Sequence, residues 1–441
     1  MDTALTKSDK RLYDRELLRF TMPAVLEQFL TKVSTLAGAA FLGQIGAIEL
    51  SASSLSTTLV SMTDALLTGL SIGITVMCAR FLSDKKKLLE YASAGFASEM
   101  IIAFLLLVGM LFFSDGIISL LFSNAEPILK VYTAKYYSVC IFSIPFAAID
   151  YTCSAFMRAS GDSKTPFYVT LLANALNLIA IFVCLNMLGL DYTSAAYCYT
   201  GSYVLSAFVK YIIVISGKHK SFRLKFVRFG FSDIAAMSKI GLPAMFERFL
   251  IQFAFLGMQM VTTMLGTVVL AGYQAANNVI SFVYTVTGGF EIAMVSLVGK
   301  YKYSDRSAAT QMVKGSYKYA CLFTFIVGVI MFIFSPVLVR IFAKEADVVK
   351  ESAGILRLLV LTIPLTTAFQ AGIGVLKTGT DIKYSLAINI ISPNFIRIPI
   401  AFILVKSGLG FMGLYIGCVI DYLVRAVVVI WRILLRKWLE T

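Results

Sequence analysis

Long apolar runs, each closed by a short polar stretch, divide the chain into segments at approximately 17–44, 50–79, 93–113, 133–157, 165–188, 193–216, 234–262, 268–299, 314–334, 354–376, 383–405 and 411–435. Each is near or above the roughly 20 residues an α-helix needs to cross a 30 Å hydrocarbon core. Lipid offers no partner to backbone N–H and C=O groups, so helices, which satisfy them internally, are predicted. Ser and Gly are scattered along the segments without the alternation of a barrel strand. The pattern predicts an all-α polytopic membrane protein with twelve transmembrane helices.

The segments form two sets of six. PAVLEQFL at Pro23–Leu30 returns as PAMFERFL at Pro243–Leu250, 220 residues later. Gly46 and Gly266, Leu50 and Leu270, and Gly69 and Gly289 keep that spacing. Ile144–Lys164 returns as Ile363–Lys383 at a spacing of 219, which matches Arg158 with Lys377 and Asp162 with Asp381. Six is even, so both halves enter the membrane from the same side, as in a parallel repeat about an axis along the membrane normal. The predicted organisation is two pseudo-symmetric six-helix lobes, 1–216 and 234–441, joined by a basic linker, 217–233. In transporters built this way substrate sits between the lobes, and rocking exposes it to each side in turn.

Composition agrees with lipid as the solvent. Hydrophobic residues make up 58% of the 441 and charged residues only 15%, where a soluble domain carries about 25% charged residues. The net charge of +14 would point to nucleic acid in a soluble protein. Here the basic residues crowd into alternate loops, so topology explains the excess and no nucleic-acid partner is expected. The rule of positive charge inside puts both termini in the cytoplasm, and an even helix count requires the same. The linker GKHKSFRLKFVRFGFSD alternates basic and aromatic residues; it suits an anionic membrane surface or a plain solvated loop. The chain is expected in the cell membrane as a multi-pass monomer. The polar stretch 1–19 carries no cleavable signal pattern.

Several chemistries are excluded. The seven cysteines form no CxxC pair and mostly sit in apolar runs, as small buried hydrophobes do. The single histidine, His219, lies in the linker, so no His-based metal site or catalytic dyad sits in the membrane. No phosphate-binding loop and no cluster of nucleophile and base appears, which argues against an ATP-driven pump and against an enzyme. No organic cofactor or metal is called for.

Charges inside spanning segments are costly, and they mark ion and substrate paths. Proton coupling needs a carboxylate that exchanges its proton as its surroundings change; sodium coupling needs several oxygens at one spot. Asp64, in the middle of helix 2 without a basic neighbour, is the sharpest lead. Glu27 and Glu247 occupy matched positions four residues after Pro23 and Pro243, prolines that suit a bend. Asp150 in helix 4 and Glu291 in helix 8 lie nearer the cytoplasmic ends. Glu99, near the start of helix 3, is a weaker lead. Asp421 and Arg425 are four residues apart on one helical face, the spacing of an ion pair. Arg397 has no local partner and needs a carboxylate across helices.

LGQIGAIELSASSLS and MLGTVVLAGYQAANNVIS resemble the G-x-x-A-L-A motifs of the multidrug and toxic compound extrusion (MATE) family, prokaryotic type. MRASGDSKTPFYVTLLANALN resembles that family's R-G-x-G-D-x-K-x-P…N-x-x-N signature, and nearly the whole chain fits its length and halves. The resemblance implies two lobes around a cavity and export of small organic, often cationic or amphipathic compounds, driven by inward H⁺ or Na⁺. Asn174 and Asn177 match its N-x-x-N and offer polar contacts in the N-terminal lobe. The family's usual acidic positions are Gly38, Ile181 and Ile251 here, so coupling is expected either to have moved to Asp64, Glu27 or Glu247 or to be weak. The alternative reading is a flippase for a lipid-linked saccharide, which a cavity lined by arginine or lysine would favour. Asp162 and Asp381 read as caps of tight cytoplasmic turns.

Overall fold

The polar breaks between the apolar runs are where the helices begin and end. The computed structural model describes residues 12–19, 21–22, 36, 38–81, 84–160, 162, 164–217, 225–301, 305–377, 382–435 and 438. Of α1, residues 12–19 and 38–43 are helical. The first half continues with α2 (Ala47–Arg80), α3 (Lys85–Leu121), α4 (Pro127–Ala159), α5 (Lys164–Met187) and α6 (Ser194–Ser216). The second holds α7 (Phe231–Thr263), α8 (Thr267–Tyr301), α9 (Arg306–Ile333), α10 (Ala346–Val360 with Ile363–Leu376), α11 (382–409) and α12 (Gly410–Leu434). Among the described residues 8 helical stretches are long and apolar enough to span, one of them carrying both α11 and α12, and the bent pair of α10 makes 9. The all-α, twelve-helix plan read from the apolar runs holds.

Local chemistry sets the ends. Asp84 caps α3 by accepting from the N–H groups of Lys86 and Lys87, and Asp305 caps α9 through Ala308. Asp162 accepts from the N–H groups of Lys164 and Thr165 at 2.9 and 3.0 Å, the capping role expected of it. Its counterpart Asp381 lies outside the described residues. Two of the breaks fall at matched prolines: α4 tightens into a 3-10 turn at Ile141–Ser143 just before Pro145, and α10 bends by 53° just before Pro364. By contrast α7 runs unbroken through Pro243. Gly408 and Gly410, with φ of 91° and 54°, turn α11 into α12 in a conformation that side chains with a Cβ resist.

Packing divides the chain differently from the repeat. The two compact units are Ala37–Met260, and Met1–Leu36 together with Val261–Thr441. Their limits fall inside α1 and α7 rather than in the linker 217–233. Two buried clusters explain this. In the first unit Ile74, Met77, Cys78 and Phe156 pack with Met237 of α7. In the second, Met294, Leu297, Val298 and Val375 pack with Leu17 of α1. Each pair of counterparts lies 219 or 220 residues apart, Leu17 and Met237 included. The first helix of one half thus fills, in the other half's unit, the place that half's own first helix has left.

Small residues allow the approach. A Cβ on Gly69 would collide with the backbone of Met245, and one on Gly73 would come within 2.8 Å of the Met237 carbonyl. Close backbone contact at glycine is a usual way for membrane helices to gain dispersion energy. Away from these seams Phe104, Leu105, Phe112 and Phe113 of α3 are exposed, as lipid-facing side chains are. Part of the linker rests on the same helix: the Val227 N–H donates to Ser93 Oγ at 3.0 Å, and Phe226 meets Phe96 edge-on.

Candidate functional site

On α6 the polar residues Tyr199, Tyr203, Ser206 and Lys210 recur every three to four positions, which puts them on one face. That face meets the two acidic leads of the first half. The Tyr203 hydroxyl donates to Asp64 Oδ2 at 3.2 Å, and Tyr151 of α4 lies 3.1 Å from it, oxygen to oxygen. Tyr199 packs edge-on against the Tyr203 ring. One helical turn further, Ser206 donates to Asp150 Oδ1 at 2.5 Å, and Lys210 Nζ reaches Asp150 Oδ2 and Thr170 Oγ1 at 2.8 Å each. Lys210 and Asp150 are both buried.

The charges in this row do not balance. Lys210 neutralises Asp150. Asp64, half-buried, has hydroxyl neighbours and no ion pair among the described residues. The row therefore carries one uncompensated carboxylate within the span, linked by hydroxyls to a neutral pair. Sequence reasoning found Asp64 and Asp150 but missed Tyr151, Tyr203 and Lys210. For Tyr203 and Lys210 the signal was the helical spacing of polar residues along an otherwise apolar α6.

The other sequence leads lie elsewhere. Glu291 pairs with Lys377 at 2.5 Å, partly exposed, as a lysine salt bridge near the end of the helix. Glu247 is half-buried on α7, and Glu27 lies outside the described residues. Asn174 and Asn177 are half-buried on α5, and the Asn177 Oδ1 is buried without a donor; neither joins the Asp64 row. Glu99, a minor lead in the sequence, is 1% exposed, and neither of its oxygens has a hydrogen-bond partner. Gly38 faces Ile181, whose Cδ1 lies 3.5 Å from where a glycine Cβ would stand. The two vacated acidic positions thus meet as an apolar contact.

The second half holds a different cluster. Tyr284, the counterpart of Asp64, meets Tyr422 of α12 at 3.4 Å between hydroxyls. Asp421 pairs with Arg425 as the spacing predicted, and Arg397 comes from α11 to the same carboxylate at 3.7 Å. The cross-helix partner expected for Arg397 is therefore Asp421.

The family model MatE matches residues 23–183 and again 243–403, one copy in each half. The chain belongs to the MATE family of efflux transporters. It is similar to a probable multidrug resistance protein NorM of Thermotoga maritima, 24% identical over 96% of this chain and 93% of the relative. It is also similar to the multidrug export protein MepA of Staphylococcus haemolyticus, at 22% identity over 90% of this chain and 88% of the relative. Among solved structures it matches an inward-facing multidrug resistance MATE family transporter with a TM-score of 0.82 at 19% identity, over 94% of this chain and 96% of that one. This MATE chain is thus a multi-pass membrane transporter that exports compounds, and not an enzyme.

Proposed function

We propose that this MATE transporter is a proton-driven antiporter, exporting small organic compounds of cationic or amphipathic kind by alternating access of its two halves. The observation that carries the reading is Asp64: a carboxylate within the span, free of any ion pair among the described residues, and hydrogen-bonded to Tyr203. Ionised, it attracts a cation. A proton taken from the far side removes that attraction and releases the substrate outward; loss of the proton to the cytoplasm restores the site. Proton coupling is favoured over sodium because the neighbours of Asp64 are tyrosine hydroxyls able to donate, whereas hard cations collect several acceptor oxygens. The names of the relatives support a multidrug substrate range. The alternating basic loops support cytoplasmic termini, and the cell membrane is the expected site of a monomer.

The test is export in proteoliposomes. A cationic dye should move against its gradient when a pH gradient is imposed, and a sodium gradient alone should not move it. Dye movement under sodium only would replace the proton in this reading. The absence of gradient-dependent movement for a panel of cationic and amphipathic dyes would remove it. Two buried arginines in the second half are the observation on the side of a lipid-linked saccharide flippase, and scrambling of such a lipid without dye export would favour that reading.

A further inference from the structure

We propose that the second half carries a binding site for a singly charged carboxylate, formed by Arg397, Arg425 and the tyrosine pair Tyr284–Tyr422. The site rests on charge and on donors. Arg397 and Arg425 are both buried, 7% exposed each, and both turn to one carboxylate, Asp421. Two guanidinium groups on one aspartate leave a net positive charge inside a membrane protein, where an uncompensated charge is strongly unfavourable. An anion restores the balance.

Donors are in excess as well. Asp421 already accepts from Ser392 Oγ at 2.6 Å and from Arg425. The Arg425 Nε is buried without a hydrogen-bond acceptor, and the Arg397 Nε, 3.7 Å from Asp421 Oδ2, is too far from it for a hydrogen bond. Tyr284 and Tyr422 have two hydroxyl protons and share one contact of 3.4 Å, so one proton has no acceptor there. The Arg425 guanidinium lies over the rings of Phe369 and Tyr422, 4.7 and 5.2 Å from their centroids. With its faces against rings, its free edge is what remains for a ligand. A planar acceptor with two oxygens fits a guanidinium edge best.

The backbone is built for this cluster. Residues 392–397 form a π-turn, with i→i+5 hydrogen bonding. In an α-helix Ser392 and Arg397, five residues apart, would point about 140° from each other. The wider turn brings them to one side, both onto Asp421; such turns recur at functional sites. The first half lacks the equivalent, because Leu178 and Ser206 stand 219 residues before Arg397 and Arg425.

The experiment is equilibrium binding of radiolabelled benzoate to the full chain in lipid nanodiscs, with empty nanodiscs as background. Saturable binding of one benzoate per chain is expected. Arg397→Gln should weaken it about tenfold, the worth of one charge-assisted hydrogen bond, and Lys135→Ala, at an exposed ion pair of the first half, should leave it unchanged. Asp421→Asn, which adds a positive charge, should bind benzoate more tightly and regain thermal stability as benzoate is added. Where an arginine variant fails to fold, Tyr422→Phe serves, with weakening of severalfold expected. Competition by acetate would mark a free small carboxylate as the ligand; binding of benzoate without such competition would mark the carboxylate of a larger organic molecule. No saturable binding, or binding that Arg397→Gln and Tyr422→Phe leave intact, would overturn the proposal. The measurement needs no transport, so it stands or falls apart from the antiport reading.

Discussion

The two halves hold buried charge of opposite sign, at positions that do not match in the repeat. In the first half Asp64 has no ion pair among the described residues, with Tyr203 donating to it and the neutral Asp150–Lys210 pair one turn away. At the same place in the repeat the second half has Tyr284, which meets Tyr422, the counterpart of Tyr203. Its surplus is positive, from Arg397 and Arg425 on Asp421. The duplicated scaffold has kept its helices and apolar clusters while its buried charges diverged. An ion-coupled transporter needs a site that changes charge, and one such site is enough. The second half is then free to hold another ligand or to hold none.

The largest effect should come from the carboxylate itself. Asp64→Asn is expected to abolish pH-driven dye export while the protein still reaches the membrane folded, and Tyr284→Asp in that background should not restore it. Rescue by Tyr284→Asp would mean that the halves are interchangeable and would break the comparison.

Next in size is the neutral pair. Lys210→Met alone leaves Asp150 buried without its cation and should cost about 3–5 kcal/mol of stability, whereas Lys210→Met with Asp150→Leu should cost far less. Thermal unfolding followed by size exclusion distinguishes the two. Gly69→Val tests the seam between α2 and α7. Forcing a side chain into the Met245 backbone should cost about 1–3 kcal/mol, measured in the same way.

A smaller effect is expected of Tyr203→Phe. It removes one hydrogen bond to Asp64, worth about 1–2 kcal/mol, and should slow transport severalfold in proteoliposomes without unfolding the protein. The smallest belongs to Lys135, which hydrogen-bonds Asp191 between α5 and α6 at 2.7 Å with both side chains more than half exposed. This bond holds the Asp191 carboxyl below the usual carboxylate range. The stabilisation is therefore present above the unfolded-state value and is lost as pH falls through the folded one. Lys135→Ala should barely change the melting temperature at neutral pH and not at all in strong acid, because exposed pairs are weak.

Several of these features were legible in advance because they are local. The Asp421–Arg425 pair follows from a four-residue spacing, and the Asp162 cap from its place before a helix. Asp64 was visible as a charge in an apolar run. The partners of Asp64 and Asp150 were not, since Tyr203 and Lys210 lie 139 and 60 residues away and have no local signature. The domain limits illustrate the same boundary. The repeat divides the chain at the linker, and the compact units divide it within α1 and α7, because glycine seams and apolar clusters, rather than chain order, choose a helix's neighbours.

The number of spans, the repeat of six helices, the family and the inventory of charges inside the membrane follow from the order of residues along the chain. Hydropathy, spacing and motifs are properties of the chain read in one dimension, and lipid leaves little choice but helices. Which charges cancel and which remain depends instead on how the helices pack. Packing set Lys210 against Asp150, left Asp64 to a tyrosine, brought Arg397 through a π-turn to a carboxylate already held by Arg425, and closed Gly38 against Ile181. Those outcomes depend on side chains from different helices meeting across the interior of each unit, where the low dielectric makes every unmatched charge count.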